Sequence, residues 1–350
     1  MRFESAPLFA LLAVDDNHHA RFVMQRSLHL IRITSLLVTL CALPGLHARA
    51  DSPAAIARIG VLMPPLATSP EEGLRQGLRD LGYVEGKNLV IEWRRSGSSV
   101  EELRPLAVEL GRANVQVIVT PGAPATRAAL EATRLPVVFA PVGDAVANGF
   151  AVSLARPGGR ATGVTAEGNE LIAKRLELLK LALPKVRRIM YLMNSSSRVE
   201  HQRVSSAKQA ARTLAVELVP LDARNEAELD TALRTIAHTD ARGIIVSADL
   251  LFLANKPKIA ATIRKARLPA MVAMREYHED GVLMSYGIDL RESMRRAAAY
   301  VDKIVKGANP AELPIEQVSK FELVVDLRVA RELGITVTQD LLLRADEVLR

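Results

Sequence analysis

The sequence predicts two parallel-sheet α/β lobes, each doubly wound, and two observations carry that prediction. From Ala57 onward, short β-like runs alternate with amphipathic helical segments, the order parallel sheets require because each parallel strand needs a crossover. The alternation pauses near residues 163–168 and then restarts, so two arrays of similar size divide a chain of 350 residues. No Gly/Ser-rich linker separates them. Short crossing segments are therefore expected to join the lobes and to form a hinge.

The first strand is the run 57–63. Ser69, Pro70 and Glu72 then supply an N-cap, a proline at the first helical position and a capping-box glutamate. That helix runs to Leu81 and stops at Gly82. A second strand, 89–93, leads to another capping box, Ser99 with Glu102, whose helix ends at Gly111. Residues 115–120 form the third strand, followed by the turn Pro121–Pro124 and a helix through Ala132. Residues 136–140 and 163–165 read as the fourth and fifth strands. A helix from Asn169 to Leu183 is stopped by Pro184.

In the second array, strands are expected at 188–193, 216–220, 243–247, 270–273 and 282–287. Helices are expected at 201–214, 225–237, 256–266 and, longest, 290–306. The first lobe is assigned residues 56–165 plus about 286–320. The second takes 166–285 plus about 321–350, with the crossing segments.

Residues 24–50 read as an export signal. Arg26 and Arg32 give a basic start, Ile33 to Leu43 an apolar stretch, Pro44 and Gly45 a break, and Ala48-Arg49-Ala50 a cleavage site. The apolar run is too short to anchor in a bilayer. Asp15, Asp16 and two histidines ahead of it do not suit a signal sequence, so translation is expected to begin at Met24, with cleavage after Ala50. The expected location is periplasmic.

Composition narrows the function classes. Hydrophobic residues make up 49% and charged residues 24%, the balance of a globular protein with a large core. Aromatics are 4%, so aliphatic side chains must build that core. Residues 1–50 hold five of the 46 bases and three of the 39 acids, which leaves a surplus of +5 spread along the body. No basic block exceeds a pair of residues, so a nucleic-acid partner is not expected. The one cysteine, Cys41, lies in the export segment, and the body then has no thiol for catalysis, zinc or disulfides.

Other catalytic chemistry is equally thin. His201, His238 and His278 stand far apart without metal-ligand spacing, and no nucleophile elbow or phosphate loop is present. Tyr277 to Asp280 reads as a polar loop. A carboxylate-based enzyme stays open, but no paired acids stand at strand ends. No catalytic residue, metal or cofactor is assigned.

The loops after strands carry the informative residues, because open α/β sheets bind ligands at the carboxyl ends of their strands. Thr120 to Thr126 joins a strand to a helix. Gly122 and Ala123 let the backbone approach a guest, and the helix N-terminus suits a carboxylate. The same stretch also reads as a plain turn. Gly143 and Asp144 follow the fourth strand, with Asp144 either meeting a ligand ammonium or capping the next turn. Asn194 and Asp249 follow strands of the second lobe, and Tyr286 stands near an expected crossing as an aromatic wall.

Several runs together resemble the ABC transporter substrate-binding family, which includes tryptophan and other aromatic amino-acid binders. They are Phe139 to Val146, Leu154 to Gly159, Ala161 to Thr165, Ser285 to Gly287 with Asp289, and Arg295 to Gly307. Leu313 to Gln317, Lys320 to Leu323 and Leu343 to Val348 complete the pattern. The resemblance covers Ile56 to the C-terminus. It implies a type I periplasmic-binding fold with three crossings, a small-molecule ligand in the cleft and a membrane permease of an ABC importer as partner. By carry-over, the cleft residues are Ser69 in the loop from Pro64, Thr120, Gly122, Ala123, Thr126, Gly143, Asp144, Asn194, Asp249 and Tyr286. Few rings are available to stack an aromatic guest.

Three rivals share the scaffold. A lac-type repressor would need a DNA-binding segment where the export signal stands. A racemase or isomerase would need cysteine pairs or facing carboxylates. A receptor sensor lobe would need a transmembrane span.

Overall fold

Two separate β-sheets organise the described residues, 56–64, 69–97, 100–166 and 169–350 of a computed structural model. The first contains β1 (Ala57–Met63), β2 (Leu89–Arg95), β3 (Val117–Thr120), β4 (Val137–Gly143), β5 (Ala161–Ala166) and β11 (Glu316–Gln317). Its order is β11-β5-β4-β3-β1-β2, with every pairing parallel. The second contains β6 (Arg188–Met193), β7 (Glu217–Asp222), β8 (Ile244–Val246), β9 (Ala270–Val272), β10 (Met284–Gly287), β12 (Glu322–Asp326) and β13 (Glu347–Leu349). It runs β13-β12-β10-β9-β8-β6-β7 and is parallel except at β10–β12.

The first five strands of each lobe follow the same order, 2-1-3-4-5, the doubly wound arrangement with its switch point between the first and third strands. Both sheets are covered on two faces, which is why their central strands are apolar without alternation. In β3 all four residues are buried, and in β1 all but Arg58.

The helices of the first lobe are α1 (Ser69–Asp80), α2 (Leu103–Arg112) and α3 (Gly122–Ala132). The second lobe adds α4 (Asn169–Ala182), α5 (Glu200–Thr213), α6 (Glu226–Ala237), α7 (Leu250–Ala254) and α8 (Lys256–Lys265). Next come α9 (Leu290–Val305), α10 (Leu327–Leu333) and α11 (Gln339–Arg344). The chain passes between sheets after β5, after β10 and after β11.

Helix α9 returns the chain to the first lobe. Its Met294, Ala297, Ala298 and Val301 pack with Val61, Leu74 and Leu78. Glycines permit the close approach of α1: a Cβ on Gly73 would lie 2.0 Å from the Arg291 carbonyl oxygen, and one on Gly77 2.3 Å from that of Arg295. The second lobe has a core on each side of its sheet. Leu176, Leu179, Tyr191 and Met284 lie on one side, and Leu233, Ile244, Phe252 and Ile259 on the other. Each fully buried side chain of this size contributes about 1.5–3 kcal/mol relative to exposure.

Three expectations change. Glu102 starts no capping box: its carboxylate accepts from the Gly97 N–H, and the helix begins at Leu103 without a side-chain cap. The run Tyr277 to Asp280 is not a solvated loop but part of a 3-10 turn, Arg275–Asp280, because the Tyr277 ring fills the core and its hydroxyl donates to the Phe252 carbonyl at 2.8 Å. The short elements β11, β12, β13, α7, α10 and α11 were not anticipated. The export segment with Met24, Cys41 and Ala50, the loop residues 65–68, Ser99 and the Ser69 side chain lie outside the described residues. No described helix is long and apolar enough to cross a membrane.

Candidate functional site

The switch points lie between β1 and β3 in the first lobe and between β6 and β8 in the second. The β3–α3 turn is tied internally. Thr120 and Thr126 are fully buried, their hydroxyls 2.9 Å apart, and Thr126 Oγ1 also donates to the Gly122 carbonyl at 2.8 Å. Those hydroxyls thus hold the turn, and its backbone at Gly122 and Ala123 is what faces outward. Gly122 has φ +75, and a Cβ there would meet Leu250 Cδ1, on α7 of the other lobe, at 2.8 Å. The strand-end turns of the two lobes are therefore in contact.

A second contact lies at the end of β4. A Cβ on Gly143 would lie 2.9 Å from Nη2 of Arg203, on α5. The neighbouring Asp144 acts as a cap, its Oδ1 accepting from Val146 N at 3.1 Å and Ala147 N at 2.9 Å. Of its two sequence readings, the cap is observed. Asn148 braces the same turn from below by donating to the Gly143 and Asp144 carbonyls.

In the second lobe Asn194 donates to Asp249 Oδ2 at 3.2 Å, while Asp249 Oδ1 caps α7 through the Leu251 N–H at 2.9 Å. These two candidates form one polar unit across β6 and β8. Desolvation raises the Asp249 carboxyl above its ordinary range, opposed by those hydrogen bonds. Tyr286 lies at the end of β10, before the chain crosses to the first lobe. Its ring packs on the second-lobe core and against Phe321, 6.1 Å between centroids, and its carbonyl joins the polar cluster described next.

That cluster comprises Arg175, Tyr191, Glu200 and Arg203. Tyr191, on β6, donates its hydroxyl to Glu200 Oε1 at 2.5 Å, and Arg203 reaches Glu200 Oε2 at 3.4 Å. Arg175, from the buried face of α4, donates Nε to the Tyr286 carbonyl at 2.7 Å. Burial foremost, then the neighbouring Arg203, pushes the Arg175 guanidinium down to about 10. Burial raises the Glu200 carboxyl, with Arg203 and the Tyr191 hydroxyl opposing. One signal of the cluster is readable along α4: Arg175 interrupts the apolar stripe Ile172, Leu176, Leu179. An arginine there is either paired or reserved for a guest.

The sequence profile of the ABC transporter substrate binding protein family matches residues 60–349. The chain belongs to that family. A tyrosine-binding protein of Clostridioides difficile (strain R20291) is 23% identical over 264 residues, which cover 75% of each chain. Among solved structures, a conserved domain protein from Vibrio cholerae is 26% identical with a TM-score of 0.77, covering 84% of this chain and 99% of that one. An ABC domain from Streptococcus pneumonia, in complex with L-Trp, is 24% identical, also with a TM-score of 0.77, over 84% and 100%. These neighbours carry the type I periplasmic-binding fold, as the sequence resemblance implied.

Within this family fold, the cluster of Arg175, Glu200 and Arg203, with Leu250, adds to the sequence candidates. Two surface depressions on the second lobe, about 390 Å³ beside α8 and α10 and about 540 Å³ beside α6, contain none of these residues. Among the described residues no group of His, Cys, Asp or Glu is placed to hold a metal.

The raised Glu200 carboxyl sets a pH prediction. A carboxyl whose folded value lies above its unfolded value binds its proton more tightly when folded. Its contribution to stability is present below the ordinary value of 4.5 and is lost as pH rises through the raised value. Relative to Glu200→Gln, the wild type should therefore lose melting temperature between pH 4 and pH 8. A pH-independent difference between the two proteins would contradict the burial argument.

Proposed function

We propose that the chain is the extracytoplasmic receptor of an ABC importer, capturing a small solute between its lobes by closure and presenting it to a membrane permease. The solute class is an amino acid or a similar small polar molecule, and no catalysis is involved. The observation that carries this reading is the meeting of strand-end turns from both lobes, Gly122 with Leu250 and Gly143 with Arg203. Family membership supports it, as do relatives named for binding tyrosine and crystallised with L-Trp. The Met24–Ala50 segment supplies the route of export and gives a periplasmic location.

Closure is driven only by contacts the closed form makes and the open form lacks. The test is a melting-temperature screen of the protein lacking residues 1–50 against amino acids, small carboxylates, amides, sugars and nucleosides. One class should raise the midpoint, by an amount that grows with concentration as mass action requires. A flat response to every class would contradict solute capture.

A further inference from the structure

Among the described residues no ion pair ties one lobe to the other. Every salt bridge there joins groups of a single lobe, except Lys320 with Glu322, which lies along the crossing into β12. At the rim between the lobes, the charges that meet are alike. Arg127, on α3 of the first lobe, lies over the Phe150 ring at 5.2 Å and donates Nη2 to the Asn148 carbonyl at 3.4 Å. Arg198, just ahead of α5 in the second lobe, reaches the same corner: a Cβ on Gly149 would stand 3.9 Å from its Nη1.

Neither arginine has a salt-bridge partner among the described residues. The exposed Arg198 guanidinium has no hydrogen bond there either. Burial, and next the charge of Arg198, push the Arg127 guanidinium below its ordinary value, with Glu131 on the same helix opposing. One cation rides on each lobe, so their repulsion acts only when the lobes meet. A pair of surface charges contributes little to the stability of either lobe. Its leverage is on the hinge, where a small bias redistributes open and closed forms.

We infer that Arg127 and Arg198 form an electrostatic spring at the interlobe rim, which holds the unliganded protein open until a solute supplies contacts that outweigh the repulsion. The spring presupposes the lobe closure of the proposed function, but no particular class of solute. Contacts such as Gly122 with Leu250 and Gly143 with Arg203 favour closure with or without a guest. The rim repulsion opposes them, which makes closure conditional on capture. A receptor that closed without cargo would engage its permease with nothing to deliver.

The test reads the radius of gyration of the unliganded protein lacking residues 1–50, by small-angle X-ray scattering extrapolated to zero protein concentration. Sodium chloride is varied from about 10 mM to about 1 M, which shortens the screening length from about 30 Å to about 3 Å. The wild type should become more compact as salt rises. Arg198→Glu, which removes no side-chain contact within its own lobe, should be compact at low salt and expand as salt rises. The double variant Arg127→Glu with Arg198→Glu restores like charges and should be open again at low salt. With the solute found in the melting screen, Arg198→Glu should bind about 3- to 10-fold tighter than the wild type at low salt, and equally at high salt. A radius of gyration that neither salt nor Arg198→Glu changes overturns the spring, while a solute that still raises the melting temperature leaves solute capture standing. A double variant as compact as Arg198→Glu overturns it too. The expected salt and charge-reversal pattern together with a flat melting screen supports the spring and contradicts solute capture.

Discussion

Gly163→Ala is expected to lower the melting temperature by about 6–12 °C, a loss of about 3 kcal/mol at 2–4 °C per kcal/mol for a protein of this size. Gly163 has φ +141, and a Cβ there would stand 2.0 Å from the Phe139 carbonyl oxygen and 2.8 Å from its amide nitrogen. Both atoms belong to β4, the direct register partner of β5 at this point. A backbone cannot yield as a flexible side chain can, so the clash displaces β4 and with it the Gly143–Asp144 turn. Gly82→Ala is the control: φ there is +85, but nothing lies within 4 Å. It should show only the strain of a positive φ, about 1 kcal/mol. Equal losses in the two variants, read by thermal unfolding, would show that close approach to β4 is not what Gly163 provides.

Gly122→Val is expected to weaken binding by hindering closure. The substitution puts a branched side chain at φ +75 and drives it into Leu250 across the lobe boundary. The backbone strain is borne by the first lobe alone, whereas the collision exists only when the lobes meet. A penalty of about 1–3 kcal/mol on the closed form weakens capture by about 5- to 150-fold, because affinity scales with the accessible population of the closed state. The companion change Leu250→Ala removes the collision. The double variant should regain most of the lost affinity while keeping the lowered melting temperature of Gly122→Val. Unchanged affinity in Gly122→Val, measured by calorimetry with the solute found in the screen, would separate the β3–α3 turn from closure.

The alternation of strands and helices was legible because the buried parallel strands β1, β4 and β6 are continuous apolar runs and their helices carry clear stops. The elements that escaped are short or composed against type. β11 is two polar residues, Glu316 and Gln317, and α7 is five apolar residues whose only signal is the Asp249 cap. Asp249 drew attention as a site candidate for the same reason it caps: a short acid directly after a strand serves either role.

For the site, position was readable and role was not. Gly122, Gly143, Asn194 and Asp249 stand at or just after the ends of β3, β4, β6 and β8, where the alternation of strands and helices puts them. Thr120, Thr126 and Asp144 lie there too, but bond within their own turns, which spacing alone cannot reveal. Arg175 and Arg203 were missed because they sit inside helices, away from the loops that drew the search. Tyr286 drew it by ring chemistry, and its backbone carbonyl also accepts from Arg175.

The most direct test of the central claim, solute capture between the lobes, is a crystal structure of the protein lacking residues 1–50 with the solute that raises its melting temperature. The account predicts the solute enclosed between the Gly122–Leu250 and Gly143–Arg203 contacts, touching residues of both lobes. A solute bound to one lobe alone, or outside the interlobe face, would contradict it.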